Sequence, residues 1–387
     1  MSARAERLAE GLAGLDRQRL RRSRRVLESP QGPHVRIDGR ALVNFSSNDY
    51  LGLANHPRLR EAAHRAIDEY GVGAGASPMV SGHLEAHCEA ERRFAAFSGL
   101  PRALLFGSGY AANLGILATL ADRESEIFSD ELNHACLIDG ARLSRARITR
   151  YPHCDPAALD ALLGASRAAV RIVATDAVFS MDGDIAPVCA LVDLCERHDA
   201  WLVLDDAHGV GVLGARGRGT LEHFGVRSPR IIYMATLGKA LGGYGAFVAG
   251  EAQPLEWLLQ RARTYIYSTA LPPMAAAAAT CALGLIDEDR SLVARLASRI
   301  AELALALDHA GVRATPSSTA IQPLIVGTAD RALAASAALL ERGFLVPAIR
   351  PPTVPEGTSR LRISLSAAHA PEEIAALAQA LAGCLGS

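Results

Sequence analysis

The sequence is almost without lysine. Of its 40 lysine and arginine residues, only Lys239 is a lysine. Arginine keeps its proton at any working pH and cannot serve as a nucleophilic amine, whereas lysine can once its surroundings lower its pKa. A single amine retained in an arginine-rich chain predicts a chemical role for Lys239. The alternative is a leftover surface lysine, which such a composition also allows.

Other features are missing too, and each excludes a class of protein. The 7 cysteines form no CxxC pair, which is typical of a reduced intracellular chain. No basic segment followed by an apolar run begins the sequence, and the longest apolar stretch, 271–286, is too short to span a membrane. A net charge of −1 favours neither nucleic acid nor a membrane surface as a partner. We predict a cytoplasmic protein that binds neither.

Short apolar runs alternate with helical patterns through most of the chain. Runs such as Val170–Thr175, Trp201–Leu204 and Ile231–Ala235 predict strands. Strands that alternate with helices favour a mainly parallel sheet with helices on both faces. The expected fold class is therefore α/β. The apolar pattern at 345–349 predicts one further strand near the C-terminus.

The pattern of the chain changes at its two ends. Residues 3–25 predict one helix with an apolar stripe of leucines at 8, 12, 15 and 20. After about residue 288, long alanine- and leucine-rich helices frame a few strands, which predicts a smaller C-terminal α/β domain. We expect an N-terminal helix and arm at 1–45, a large domain at 46–288 and a small domain at 289–387.

Polar residues follow several of the predicted strands. Open α/β sheets bind ligands just beyond the carboxyl ends of their strands, so these residues are expected to meet there. They include His134, Ser180, Asp205 and Lys239. The turn 107–113 contains two glycines and opens a helix, and such a turn suits a phosphate because its backbone N–H groups are free.

Together these groups match the requirements of pyridoxal 5′-phosphate (PLP). This cofactor forms a Schiff base with a lysine and needs a carboxylate at its pyridine nitrogen, a flat group over its ring and donors for its phosphate. The residues that fit these needs are, in that order, Lys239, Asp205, His134 and Ser108–Tyr110. Three further side chains that could hydrogen-bond the cofactor are Ser180, His208 and Thr236.

Simpler interpretations exist for each signal alone. A strand-end aspartate is often only a helix cap, and a single histidine is more often a core residue. Asp205 and His208 could also be metal ligands, but no third and fourth ligand stand at suitable spacing, so we predict no metal site. The segment 71–76 resembles a dinucleotide-binding turn but lacks its third glycine and the preceding strand.

Four motifs carry a resemblance to a known family. They are FSSNDYLGL at 45–53, VFSMDGD at 178–184, DDAHG at 205–209 and TLGK at 236–239. With a match over nearly the whole length, the chain resembles the α-oxoamine synthases, a group of fold-type I PLP-dependent enzymes. The resemblance implies a PLP-dependent acyltransferase with a mainly parallel central sheet and a smaller C-terminal domain. It also implies a homodimer with shared active sites.

The resemblance assigns roles to particular residues. Lys239 would bind the cofactor and move the proton at the substrate α-carbon, Asp205 would pair with the pyridine nitrogen, and His134 would stack on the ring and contact substrate. The other implied cofactor-binding residues are Gly109, Tyr110, Ser180, His208, Thr236 and, from the neighbouring subunit, Ser268 and Thr269. The implied substrate contacts are Arg21, Asn48, Thr353 and Arg362.

The segment 348–362 separates the members of the family. With 46–49 and 321–327, it favours the branch that condenses L-alanine with a pimeloyl thioester, on coenzyme A or acyl carrier protein, in biotin biosynthesis. The alternative is another α-oxoamine synthase, such as a glycine C-acetyltransferase. Asp176 departs from the pattern because this branch carries glutamate there. Its shorter side chain is expected to shift a hydrogen bond at the ring-stacking histidine or at Ser180.

Overall fold

A computed structural model describes residues 2–385 of the chain. The strands are β1 (His34–Ile37), β2 (Arg40–Asn44), β3 (Arg102–Phe106), β4 (Ser125–Asp130), β5 (Arg147–Tyr151), β6 (Val170–Asp176), β7 (Ala200–Asp205), β8 (Ile231–Thr236), β9 (Ala246–Gly250), β10 (Ile321–Gly327), β11 (Phe344–Leu345), β12 (Ala348–Ile349) and β13 (Ser359–Ser364). The helices are α1 (Ala3–Arg17), α2 (Pro57–Tyr70), α3 (Glu85–Ser98), α4 (Gly109–Leu120), α5 (Ala135–Ser144), α6 (Pro156–Ala165), α7 (Val188–Arg197), α8 (Thr220–Phe224), α9 (Ala252–Arg261), α10 (Arg263–Ile266), α11 (Pro273–Glu288), α12 (Ser291–His309), α13 (Ala329–Glu341) and α14 (Pro371–Leu385).

A seven-stranded sheet with the order β3-β9-β8-β7-β6-β4-β5 forms the centre of the fold. The strands from β8 to β5 run parallel, and β9 is antiparallel to its two neighbours. Ile127, Val203 and Ile232 are fully buried in this sheet, because helices cover both of its faces. The prediction of a mainly parallel α/β sheet is confirmed.

The chain divides into two compact units. The larger unit comprises 48–298 and 318–320 and holds the seven-stranded sheet. Within the described residues, the smaller unit comprises 2–47, 299–317 and 321–385 and holds two three-stranded sheets, β1-β2-β11 and β10-β13-β12. The three-part division at residues 45 and 288 stays a prediction.

The N-terminal helix is shorter than the sequence suggested. It ends at Arg17, and Arg19 has a φ of 54°, a left-handed conformation that stops the helical hydrogen-bond pattern. The N–H of Leu20 then donates to the carbonyl of Leu15 at 2.8 Å, as in a Schellman-type helix end. The predicted helix is therefore wrong beyond residue 17. Its leucine stripe is exposed, with Leu8 at 70%.

Two other details of the prediction also failed. The single strand expected at 345–349 is two short strands in different sheets, β11 beside β2 and β12 beside β13. Pro347 separates them, and proline has no N–H to continue a strand ladder. The edge strand β5 was missed because its sequence RITRY is mostly polar and it pairs only with β4.

The apolar stretch at 271–286 forms most of α11, a partly buried helix of the larger unit. Among residues 2–385, no helix combines the length and the apolar character that crossing a membrane would need.

Candidate active site

A cavity of about 200 Å³ lies beyond the carboxyl ends of the parallel strands in the larger unit. Because these strands run the same way, the residues that follow them meet at one edge of the sheet. The predicted residues that line this cavity are Gly109, Tyr110, His134, Ser180, Asp205, His208, Thr236 and Lys239. The structure thus brings these residues together, while their individual roles stay predictions.

Asp205 is the last residue of β7 and is only 4% exposed. One of its carboxylate oxygens, Oδ2, accepts a hydrogen bond from Asn113 Nδ2 at 2.6 Å, and Oδ1 accepts from the backbone N–H of Ala207 at 2.9 Å. Two donors on different oxygens hold the carboxylate in one orientation. This is the fixed acid that a pyridine nitrogen requires.

Asp176 ends β6 and lies directly beside Asp205 in the register of the two strands. Its Oδ2 accepts the backbone N–H of His134 at 2.7 Å, and its own N–H donates to Asn133 Oδ1 at 3.0 Å. Burial, and then the charge of Asp205, raise the pKa of Asp176 well above its usual value. The hydrogen bond from the His134 N–H shows that the short side chain of Asp176 still reaches the His134 backbone.

His134 caps the start of α5 through its ring. Its Nδ1 accepts the backbone N–H of Cys136 at 3.2 Å, so the proton of a neutral ring lies on Nε2. Desolvation against the cavity wall outweighs the opposing charge of Asp205 and lowers the pKa of His134. A neutral ring with a defined Nε2–H can stack on a cofactor and donate one hydrogen bond.

The lone lysine begins a chain of hydrogen bonds. Its Nζ lies 2.7 Å from Nε2 of His208, and Nδ1 of the same ring lies 2.7 Å from the hydroxyl of Tyr50. The Tyr50 hydroxyl donates to Asn48 Oδ1 at 3.1 Å, so its oxygen accepts from the Nδ1–H of His208. His208 Nε2 then accepts from Lys239. Asn48, a predicted substrate contact, is thereby connected to the amine.

The start of α4 forms the opposite wall of the cavity. Ser108 caps this helix by accepting the N–H of Ala111 at 3.1 Å, and Gly109 and Tyr110 form its first turn. The Tyr110 hydroxyl donates to Asp139 on α5. A helix start carries partial positive charge and backbone donors, which suit a phosphate.

The remaining predicted residues lie elsewhere. Ser268 and Thr269 are exposed in the segment after α10 of the larger unit. Arg21 and Thr353 line a cavity of about 880 Å³ in the smaller unit, which is larger than the one that contains the lysine. Arg362 is buried on β13 of the smaller unit and donates to Ser364 Oγ at 2.8 Å.

Three residues of the site were not assigned a role from the sequence. Asn113 holds Asp205, Cys136 holds His134, and Tyr50 holds His208. Asn113 left a detectable signal, since it is a polar residue in a mostly apolar helix one turn after Gly109. Tyr50 left no such signal, because its partner His208 is distant in the sequence. Cys136 left none either, because it contacts His134 through its backbone N–H.

These groups fit PLP. An amine on Lys239, a fixed carboxylate on Asp205, a neutral ring on His134 and the N-terminus of α4 surround one cavity. The same set is poorly suited to a metal, because the oxygens of Asp205 already accept hydrogen bonds from nitrogen donors.

Comparison with known proteins identifies the family. A family model described as aminotransferase class I and II matches residues 40–381. The chain belongs to this family. Within the aminotransferase family, it is 54% identical to the 8-amino-7-oxononanoate synthase of Paracidovorax citrulli, over 97% of this chain and 93% of the relative. Identity to the enzyme of that name from Burkholderia pseudomallei is 53%, over 98% of each chain.

Solved structures of similar proteins have the same fold. The serine palmitoyltransferase of Sphingomonas wittichii matches with a TM-score of 0.92 and 30% identity, over 99% of this chain and 97% of that one. The 8-amino-7-oxononanoate synthase of Francisella tularensis matches with a TM-score of 0.76 and 31% identity, over 88% and 97%. The expected fold-type I architecture and the suspected family are both confirmed.

Proposed function

We propose that this protein condenses L-alanine with a pimeloyl thioester to give 8-amino-7-oxononanoate, CO₂ and the free carrier, a step of biotin biosynthesis. It is a PLP-dependent acyltransferase. The observation that carries the proposal is the joining of Lys239, Asp205 and His134 in one cavity. Identity of 53–54% to 8-amino-7-oxononanoate synthases over nearly the whole chain supports the choice of reaction.

Each residue of the cavity has a task in this reaction. PLP, when bound, takes up the electron pair left at the substrate α-carbon when a proton or CO₂ departs. Lys239 Nζ takes and returns the proton at the α-carbon, and its contact with His208 at 2.7 Å aims the amine. Asp205 keeps a proton on the pyridine nitrogen. His134 stacks on the ring and donates its Nε2–H to the carbonyl oxygen of the thioester.

The cofactor's other contacts are proposed from the same cavity. Gly109 and Tyr110 at the start of α4 face the phosphate end, while Ser180, His208 and Thr236 hydrogen-bond the cofactor. The protein acts as a homodimer in the cytoplasm, and Ser268 and Thr269 reach the phosphate of the neighbouring subunit. Their exposure in the single chain supports this role.

The substrate contacts are proposed on chemical grounds. The guanidinium of Arg362 suits the carboxylate of alanine, because it can form two parallel hydrogen bonds to it. Asn48 is a second contact for the amino acid. In the smaller unit, Arg21 and Thr353 line one cavity and are proposed to contact the acyl substrate. Arg22 donates to Thr353 Oγ1 at 3.4 Å, so this cavity offers cationic donors to a phosphate-bearing carrier, coenzyme A or acyl carrier protein.

A second candidate is another α-oxoamine synthase. The structural likeness to serine palmitoyltransferase favours keeping it, because the same cavity could serve another amino acid and another thioester. This second candidate function includes glycine C-acetyltransferase activity.

Product analysis separates the two candidates. The purified holoenzyme is mixed with each of alanine, glycine and serine, against pimeloyl-, acetyl- and palmitoyl-coenzyme A. The expected product is 8-amino-7-oxononanoate from alanine and the pimeloyl thioester, identified by mass, with much slower turnover for the other pairs. Faster turnover of any other pair contradicts the proposal.

Borohydride reduction tests the role of the lysine. Reduction of the holoenzyme should fix the cofactor on Lys239 and on no other side chain, because the sequence holds no second lysine. The Lys239→Ala variant should lose both the adduct and turnover. Peptide mapping by mass spectrometry measures the adduct, and a wild-type protein without one at Lys239 overturns the assignment.

A further inference from the structure

His153 lies outside the cavity and joins two loops that reach it. It follows β5, and its ring is held between two carboxylates of the larger unit. Nδ1 lies 3.0 Å from Asp130 Oδ1 at the end of β4, and Nε2 lies 2.7 Å from Asp184 Oδ2. The ring also makes a T-shaped contact with Phe179, with 4.4 Å between centroids.

This geometry requires a charged ring. A carboxylate only accepts hydrogen bonds, so both ring nitrogens must carry protons. Asp130 is held as an acceptor, since it also receives the backbone N–H groups of Leu132 and Cys154, both at 2.9 Å. Asp130 first, and then Asp184, raise the pKa of His153 to about 12.

The other groups around the ring do not change this conclusion. Glu131 accepts the backbone N–H of His153 at 3.0 Å, and the Cys154 thiol lies 3.9 Å from Asp184 Oδ2. Asp130, His153 and Cys154 are close enough together to hold a metal ion. With both ring nitrogens donating to carboxylates, no lone pair is left on the imidazole for a metal.

Each carboxylate lies at one end of a loop that delivers a residue of the cavity. Asp130 accepts the N–H of Leu132 and so shapes the turn that leads into His134. Asp184 closes the loop that carries Ser180, because its carbonyl accepts the N–H of Phe179 at 3.0 Å. Both His134 and Ser180 line the cavity.

We propose that His153 is a positioning residue for the cofactor site. Its imidazolium fastens the loop that carries His134 to the loop that carries Ser180, and so sets the distance between a ring-stacking group and a hydrogen-bonding group of the cofactor. The inference rests on one part of the proposed function, which is that the cavity binds PLP. The test measures PLP affinity and stability, so a wrong acyl substrate would leave it unchanged.

The first test is the affinity for PLP. His153→Gln keeps a polar side chain of similar size but cannot bridge two carboxylates as a cation. We expect it to bind PLP about ten-fold more weakly than the wild type, the loss typical of one charge-assisted hydrogen bond. The matched control is His198→Gln, which removes a histidine–aspartate contact of 2.6 Å to Asp160 on α6, and it should leave the affinity unchanged.

A second variant guards against misfolding of the first. Asp184→Asn removes one of the two carboxylates and should also weaken PLP binding. If His153 acts through Asp184, the double variant binds PLP no more weakly than His153→Gln alone. The proposal is overturned if His153→Gln binds PLP as tightly as the wild type, or if His198→Gln loses as much PLP affinity as His153→Gln. It is also overturned if the losses of PLP affinity in the two single variants simply add in the double variant.

The pH dependence of stability separates a charged bridge from a neutral one. A histidine whose pKa rises on folding from an ordinary 6.5 to about 12 stabilises fully below about pH 6.5. The contribution of His153 to the stability of the folded state then declines as the pH rises towards the pKa of the ring in the folded protein. The unfolding equilibrium constants of wild type and His153→Gln should therefore converge by about ten-fold per pH unit between about pH 7 and pH 9. A constant ratio over this range would show an uncharged ring and contradict the proposal.

Discussion

At the scale of single residues, the hydrogen bonds behind Lys239 decide how its amine is aimed. His208 contacts Lys239, and Tyr50 contacts the far side of the His208 ring, each at 2.7 Å. Tyr50 is fully buried, so its hydroxyl has no ready replacement by solvent. We therefore expect the tyrosine to act on the reaction through the histidine, without touching substrate.

Removing this hydroxyl should slow the proton transfer at Lys239. We expect Tyr50→Phe to lower kcat about ten-fold, with a much smaller change in the KM for alanine, because one buried hydrogen-bond partner of His208 is lost. Proton removal then limits the rate more strongly. The kinetic isotope effect with α-deuterated alanine should rise.

The matched control is Tyr70→Phe, at the end of α2 and outside the cavity. It should leave kcat and the isotope effect at wild-type values. A Tyr50→Phe enzyme with the wild-type isotope effect would show that the hydroxyl does not act on the amine.

The site residues that could be predicted are those whose chemistry shows in the sequence alone. Lys239 stood out because no other residue of its kind is present, and Asp205 because it ends an apolar run. Tyr50 and His208 are 158 residues apart, so only folding brings their polar atoms together. The Cys136 contact to His134 depends on a backbone N–H, which every residue other than proline has.

At the scale of elements, the start of α4 is a capped helix end that also lines the cavity. Ser108 Oγ accepts the N–H of Ala111 at 3.1 Å. On α6, Asp155 Oδ1 accepts the N–H groups of Ala157 and Ala158, at 3.0 and 2.9 Å. Both caps accept backbone N–H groups at a helix start, but of these two helices only α4 contributes its first residues to the cavity.

Substitutions of the two caps should therefore have similar effects on stability and differ only in their effect on PLP affinity. Ser108→Ala and Asp155→Ala should each lower the free energy of unfolding by about 1 kcal/mol, the usual cost of a lost N-cap. Ser108→Ala should also weaken PLP binding, because it loosens the turn proposed to face the phosphate.

Urea unfolding measures the first effect, and titration of the apoprotein with PLP measures the second. Equal PLP affinity in both variants would mean that this helix start does not hold the cofactor.

Element prediction succeeded where burial imposes a strong pattern. The central strands β6, β7 and β8 are enclosed on both faces and read as apolar runs. It failed at β5, where an edge position tolerates polar residues, and at 18–25, where a left-handed Arg19 ends a helix that the leucine spacing alone would continue.

At the scale of the whole molecule, the proposed dimer makes each site from two chains. Lys239 would come from one subunit and the exposed Ser268 and Thr269 from the other. A hybrid dimer of Lys239→Ala with a Ser268→Ala/Thr269→Ala chain then holds one site with both defects and one site with none. At low PLP concentration, the hybrid should recover close to half of wild-type activity.

The control is a hybrid of Lys239→Ala with Asp205→Ala. Both residues line the same cavity of one chain, so every site of this hybrid is defective and no activity should return. Differently tagged chains allow each hybrid to be purified before assay. Absence of recovery in the first hybrid would mean that each site is complete within one subunit.

Residue types and their spacing were enough to single out Lys239, to predict the α/β fold class and to recognise the family motifs. Each of these follows from residue type and short-range spacing, which do not depend on distant partners. The fold was needed to show which side chains hold one another. Asn113 contacts Asp205, Tyr50 contacts His208, and His153 lies between Asp130 and Asp184. These contacts join residues far apart in the chain. Hydrogen bonds act over about 3 Å, and only folding sets that distance.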